Sequence, residues 1–228
     1  DNTEIIFNGT PLSRKYNRGE SFEFQLSNYS AYITTDKNVY VFQLTGTGTE
    51  AAATSLPSIE CTGSQSVSFV RPSTGPLYLN ILCKTADIGN FSIKGDATLI
   101  TSSMFSVVPG SAGIWQFARI NISSNAVLNA LINTNDATSI TNSTGLFHLG
   151  FLNSSGGGSR LGYFSNYSKF LCSKTESTRS RVEFIAIHGM NVASSKSPTF
   201  SNVRDENCIL VQQAALNLAP RTKSFSNV

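Results

Sequence analysis

The chain has 228 residues and a mass of 24.5 kDa; 40% of them are hydrophobic, 10% aromatic and only 14% charged, and the formal net charge is +3. That length suits one all-β domain or two small ones, and the apolar share excludes a disordered chain. No apolar run approaches the roughly 18 residues of a membrane-spanning helix, so membrane insertion is not expected. The basic residues are scattered, with Arg14, Lys15 and Arg18 the densest group, so there is no stripe for nucleic acid.

Along the chain, apolar residues alternate with polar ones more often than they recur at helical spacing. Phe22, Phe24 and Leu26 alternate with Glu23 and Gln25 and form one strand face. Residues 39–44 are a continuous β-branched and aromatic run, a strand covered on both faces. Leu77, Leu79 and Ile81 lead along one face into Cys83, and residues 114–122 are a long strand carrying Trp115. Ser124 can cap a short helix in which Val127, Leu128, Leu131 and Ile132 share a side. Residues 145–152 and 182–188 are further strands, and 205–219 reads equally as strand or helix. Turn-forming clusters at 45–49, 72–76, 108–113 and 153–159 separate them. Short strands between such turns point to an all-β fold, an immunoglobulin-like sandwich or elongated barrel with at most one or two short helices. Residues 1–220 read as one domain and 221–228 as a linker or tail.

The chain begins at Asp1 without Met, as a chain does after removal of a signal peptide or after trimming. Cys61, Cys83, Cys172 and Cys208 contain no CxxC pair, which argues against zinc and for two disulfides made outside the cytosol. Three pairings are open; Cys61–Cys83 with Cys172–Cys208 closes two moderate loops and is preferred. Sequons at Asn8, Asn28, Asn90, Asn121, Asn142, Asn153 and Asn166 admit two readings: chance in a chain rich in Asn, Ser and Thr, or glycosylation of a eukaryotic or viral ectodomain.

Enzyme signatures are missing: no GxSxG, HExxH, P-loop or GxGxxG occurs. The glycines at 156–158 lack the following Lys of a phosphate cradle, and His148 and His188 fall in strands, where histidine is chiefly structural. No catalytic residue, metal or cofactor is assigned. A polar loop at 153–167 offers Asn153, Ser154, Arg160, Tyr163 and Tyr167, and another after Cys172 offers Ser177, Thr178 and Arg179. Such groups suit sugar hydroxyls, with Tyr163, Tyr167 or Trp115 as stacking partners.

The words GLFHLGFLNSS at 145–155, SNYSKFLC at 165–172, TESTR at 175–179 and VEFIAI at 182–187 resemble the lectin domains of bacterial chaperone–usher fimbrial tip adhesins, in particular their N-acetylglucosamine-binding group. Residues 12–16 and 37–40 are similar to an Asn-Val-aromatic segment of the same lectins. The resemblance implies ligand contacts at Asn38, Asn153, Ser154, Ser177, Thr178 and Arg179. The family's Asp-Thr stands here as Asn153-Ser154, its stacking tryptophan as Leu171 and its Gln as Arg179.

The expected protein is therefore a non-enzymatic adhesin domain on the cell surface, at a fimbrial tip. It would bind a host glycan or glycoprotein receptor and join fimbrial subunits through a pilin domain outside this chain. The alternatives are a viral or eukaryotic ectodomain binding a cell-surface receptor, and a secreted polysaccharide hydrolase.

Overall fold

In the computed structural model, residues 2–26, 30–47, 50–59, 62–155, 158–164, 182–187 and 208–213 are described. Among them sixteen strands follow one another as β1 (Ile5–Phe7), β2 (Thr10–Pro11), β3 (Ser21–Gln25), β4 (Ser30–Thr35), β5 (Val39–Thr47), β6 (Glu50–Leu56), β7 (Ser66–Val70), β8 (Leu77–Lys84), β9 (Phe91–Ile93), β10 (Phe105–Val107), β11 (Trp115–Asn121), β12 (Ala137–Asn142), β13 (Phe147–Ser155), β14 (Gly158–Phe164), β15 (Val182–Ile187) and β16 (Cys208–Gln213). One short helix, α1 (Ala126–Leu131), lies between β11 and β12. The fold is all-β, with antiparallel sheets and no closed barrel among the described residues.

The strands form four sheets, of order β15-β4-β1-β2, β10-β11-β8-β13-β14, β7-β12-β9 and β3-β16-β5-β6. Strand alternation decides how they stack. Leu77, Leu79, Ile81 and Cys83 on β8, with Phe147, Leu149 and Phe151 on β13, turn toward Val67, Phe69, Phe91, Ile93 and Ile140 of the three-stranded sheet. This is a first sandwich. Ile5, Ala31, Ile33 and Phe184 of one four-stranded sheet pack with Val39, Val41 and Leu56 of the other, giving a second. The residues between those on β8, β11, β4 and β15 face the opposite way. Leu82, Trp115 and Phe117 meet Ile185 and Tyr32 in a third apolar cluster, which joins the sandwiches.

Several expectations are revised. Cys83 carries a free thiol, so the preferred Cys61–Cys83 bridge is not formed. The alternation that buries Leu79 and Ile81 turns Cys83 into the same core, where it packs as a small apolar residue. Burial, with a smaller contribution from Asp87, pushes its thiol up to about 12. Cys61 and Cys172 lie outside the described residues, and of Cys208 only the backbone, at the start of β16, is described. The helix is capped one residue later than expected: the Asn125 side chain accepts from the Leu128 amide, while Ser124 closes a preceding 3₁₀ turn. Leu128 and Ile132 are buried, but Val127 is exposed, because a six-residue helix presents less than a full apolar stripe. Residues 208–213 of the ambiguous segment are strand.

Candidate functional site

Within the expected polar loop at 153–167, residues 153–155 and 158–164 are strand: β13 and β14 pair through Asn153↔Arg160, Ser154↔Ser159 and Gly150↔Tyr163. Beside the end of this pair at Ser155 and Gly158 runs the loop 71–76, held by two buried side chains, Arg71 toward residues 129–132 and Asn153 toward the strand pair. On β7, Val67 and Phe69 point inward, and the same alternation carries Arg71 into the interior, where it is 4% exposed. Its guanidinium has five N–H bonds to give, and all are used. Nε donates to the Ser73 carbonyl at 2.8 Å, and Nη2 donates to the carbonyls of Thr74 and Gly75 at 3.1 and 2.7 Å. Nη1 donates to Asn129 Oδ1 at 2.8 Å and to the Ile132 carbonyl at 3.0 Å. Burial lowers the pKa of this guanidinium, and no carboxylate contributes to the shift. The charge is held by carbonyl dipoles alone.

Asn153, 0% exposed, is the second tie. Its Nδ2 donates toward the carbonyls of Ser73, Gly75 and Pro76 at 3.4, 3.2 and 3.1 Å. The Ser73 hydroxyl is shared between Asn153 Oδ1 at 2.7 Å and the Ser154 carbonyl at 3.1 Å. The Ser154 amide donates to the Pro76 carbonyl at 2.9 Å. The approach is so close that a Cβ on Gly75 would lie 1.8 Å from the Ser154 carbonyl oxygen, so only glycine fits there.

The consequence is a fixed surface. Three successive carbonyls, from Ser73 to Gly75, turn inward, so in trans peptides the N–H groups of Thr74 and Gly75 turn outward. Neither amide has a partner among the described residues. Pro72, Thr74 and Pro76 are exposed, as are Ser155 and Arg160, whose Nη1 donates to the Pro72 carbonyl at 3.4 Å. Asn133 and Asn135 are exposed on the adjoining loop that Arg71 grips at Ile132. The platform is rich in donors, carries no exposed carboxylate in these loops apart from Asp136, and that carboxylate is engaged by Lys94.

The expected ligand residues are distributed unevenly over this arrangement. Asn153 anchors the platform from below, and its polar atoms are occupied. Ser154 is half-buried on it. Tyr163 sits further along β14, half-buried, its ring 5.9 Å from that of His148, and it packs toward the second core rather than onto the loops. Asn38 is exposed between β4 and β5, on a different sheet. Trp115 is 6% exposed in the joining cluster, so its ring cannot stack on a sugar. Tyr167, Ser177, Thr178 and Arg179 lie outside the described residues. Arg71, Ser73, Thr74 and Gly75 were not singled out as site residues by motif. The signal was the Val67, Phe69, Arg71 alternation running into a Pro- and Gly-bounded turn. Among the described residues no cluster of three or more His, Cys, Asp or Glu could hold a metal, and no helix is long and apolar enough to cross a membrane.

A protein-family model described as IgGFc binding protein matches residues 1–152, a span that includes α1, twelve complete strands and most of β13. No curated protein matches the chain. No solved structure matches it either.

Proposed function

We propose, from the fact that the chain belongs to the IgGFc binding protein family, that it recognises a host protein, an immunoglobulin Fc in the first instance, on the donor-rich platform of loops 71–76 and 132–135. The family is one of extracellular, β-rich binding domains and not of enzymes. The observation that carries the reading is the pair of ties, Arg71 and Asn153, which lock the loop 71–76 in one conformation. A loop held rigid before binding loses little conformational entropy when a partner docks, and this saving goes directly into affinity. The outward amides of Thr74 and Gly75 and the Arg160 guanidinium call for acceptors on the partner: carbonyls, carboxylates or hydroxyls.

Hydroxyls admit a second, narrower reading, a glycan receptor bound by an adhesin at a fimbrial tip. Ser154 and Arg160 favour it, being the two residues of the expected sugar-binding set that reach the platform. Asn38, Tyr163, Tyr167, Ser177, Thr178 and Arg179 remain proposed contacts under that reading only.

One experiment separates the two. Surface plasmon resonance is run with the purified chain against Fc fragment, against enzymatically deglycosylated Fc and against a glycan panel. The protein reading predicts equal binding to both forms of Fc, and a loss of at least about tenfold in Thr74→Arg, which places a long side chain over the platform. Binding to glycans, with loss on deglycosylation, favours the second reading. Full-strength Fc binding by Thr74→Arg places the site elsewhere.

A further inference from the structure

The face of the five-stranded sheet that looks toward the second sandwich is apolar near Trp115 and polar near β13. There a small cavity is lined by Asn80 and Leu82 of β8, His148 and Gly150 of β13, Leu161 and Tyr163 of β14, and Gln43 of β5 from the second sandwich. It is about the size of one water molecule. Asn80 and His148 are both more than nine-tenths buried. Each carries an atom that no group among the described residues satisfies, Oδ1 of Asn80 and Nδ1 of His148.

The tautomer follows from the histidine's other contact. The ring is hydrogen-bonded to the backbone of Ile59 in the sense that favours its proton. Nε2 therefore carries the hydrogen, and Nδ1 presents a lone pair. Asn80 Oδ1 is likewise an acceptor. Two buried acceptors cannot satisfy each other, and leaving both unmet is costly. One donor with two hydrogens that fits the space of a single water meets both.

We propose that this cavity is a binding site for one structural water, which donates one hydrogen to Asn80 Oδ1 and the other to His148 Nδ1, at the joint between the two sandwiches. An ammonium ion has the hydrogens but would bring an unpaired charge beside Leu82 and Leu161, at far greater desolvation cost. The room for the water comes from Gly150. A Cβ there would stand 3.5 Å from Asn80 Cβ and 3.8 Å from the Tyr163 ring, ordinary contact distances, so the backbone accepts a side chain and what is lost is cavity. This site is independent of the platform and of any partner.

The sign of one substitution tests it. If the cavity were dry, Gly150→Ala would fill a void and restrict the unfolded chain, and the melting temperature would rise. If it holds the water, the methyl expels it, both acceptors are stranded, and the melting temperature falls by several degrees. The parent protein is examined in parallel by water–protein NOE spectroscopy. The expected result is a long-lived water cross-relaxing with protons of Gly150 and His148, lost in Gly150→Ala together with the fall in melting temperature. A parent without that NOE, or a variant whose melting temperature rises or stays unchanged, overturns the proposal.

Discussion

Three buried side chains carry the residue-scale argument, each with a different chemistry. Arg71 is a cation satisfied by four neutral carbonyls and one side-chain amide oxygen. A lysine keeps the charge but offers three donors in place of a five-donor planar fork. Arg71→Lys should therefore lower stability by about 2–3 kcal/mol, read as a shift in the urea midpoint; an unchanged midpoint would mean that the fork is dispensable. His148 is held neutral by burial, its pKa pushed down to about 4 from an ordinary value of 6.5. On the two strands paired with β13 the ionisable side chains are Tyr78, Cys83 and Lys84 of β8 and Arg160 and Tyr163 of β14. Because the folded value is the lower one, the unfolded chain binds the extra proton. The stability that the neutral ring contributes is complete above about pH 6.5 and falls away as the pH drops toward 4, by about 3 kcal/mol in all. Denaturation curves from pH 7 to 4 should show this slope, and His148→Gln should flatten it. The Cys83 thiol, raised to about 12, stays protonated at pH 8 in the folded chain. Iodoacetamide should leave it unmodified in native protein and label it in urea.

At the scale of elements, the strands legible in the sequence were those with enough apolar residues to show alternation: β3, β5, β8, β11, β13 and β15. The missed strands have inward positions filled by residues that carry no hydrophobic signal. On β12 only Ile140 is a large apolar residue, with Thr138 and Asn142 buried beside it. On β4, Ser30, Thr34 and Thr35 are buried together with Ala31 and Ile33. Their burial depends on neighbours distant in the chain, which local pattern does not reveal. The end of β13 from Asn153 and the whole of β14 fall in the segment expected to be loop for a related reason: their Asn, Ser and Gly residues are turn formers, yet they pair in register. The site was half legible. Turn chemistry marked 72–76 and the resemblance marked Asn153 and Ser154, but the role of Asn153 was inverted, from ligand contact to buried anchor. The junction of the two elements makes a sharp prediction. Gly75→Ala drives a methyl into the Ser154 carbonyl and should cost about 1–3 kcal/mol, whereas Ser155→Ala, at the exposed end of β13, should be neutral. Equal urea midpoints for the two variants would show that the close approach is not needed.

At the scale of the whole molecule, two sandwiches share a joint that is apolar on one side and polar on the other, and the platform lies on the first of them. The sequons can be sorted on this frame. Asn142 is buried, its Nδ2 donating to the Asp87 carbonyl at 2.9 Å and its Oδ1 accepting from the amides of Thr144 and Gly145 at 3.0 and 2.9 Å. Asn153 is bound as tightly beneath the platform. A glycan attaches through Nδ2, so neither can carry one in the folded protein. When the chain is expressed through a glycosylating secretory route, peptide mass spectrometry of the folded fraction should find both unoccupied; occupancy at either would be incompatible with this fold. At these two positions asparagine binds backbone at a turn and near a strand end.

The central claim, that Arg71 and Asn153 hold the loop 71–76 as a preformed recognition surface, is tested most directly by amide hydrogen exchange with and without bound Fc. In the free chain, Thr74 and Gly75 should exchange fast, because their amides point outward and have no partner among the described residues, while Ser154, bonded to the Pro76 carbonyl, should exchange slowly. On binding Fc, protection should arise at Thr74 and Gly75 above all. Fast exchange at Ser154 in the free chain, or protection by Fc confined to other surfaces such as the exposed Tyr40 on β5, would contradict the account.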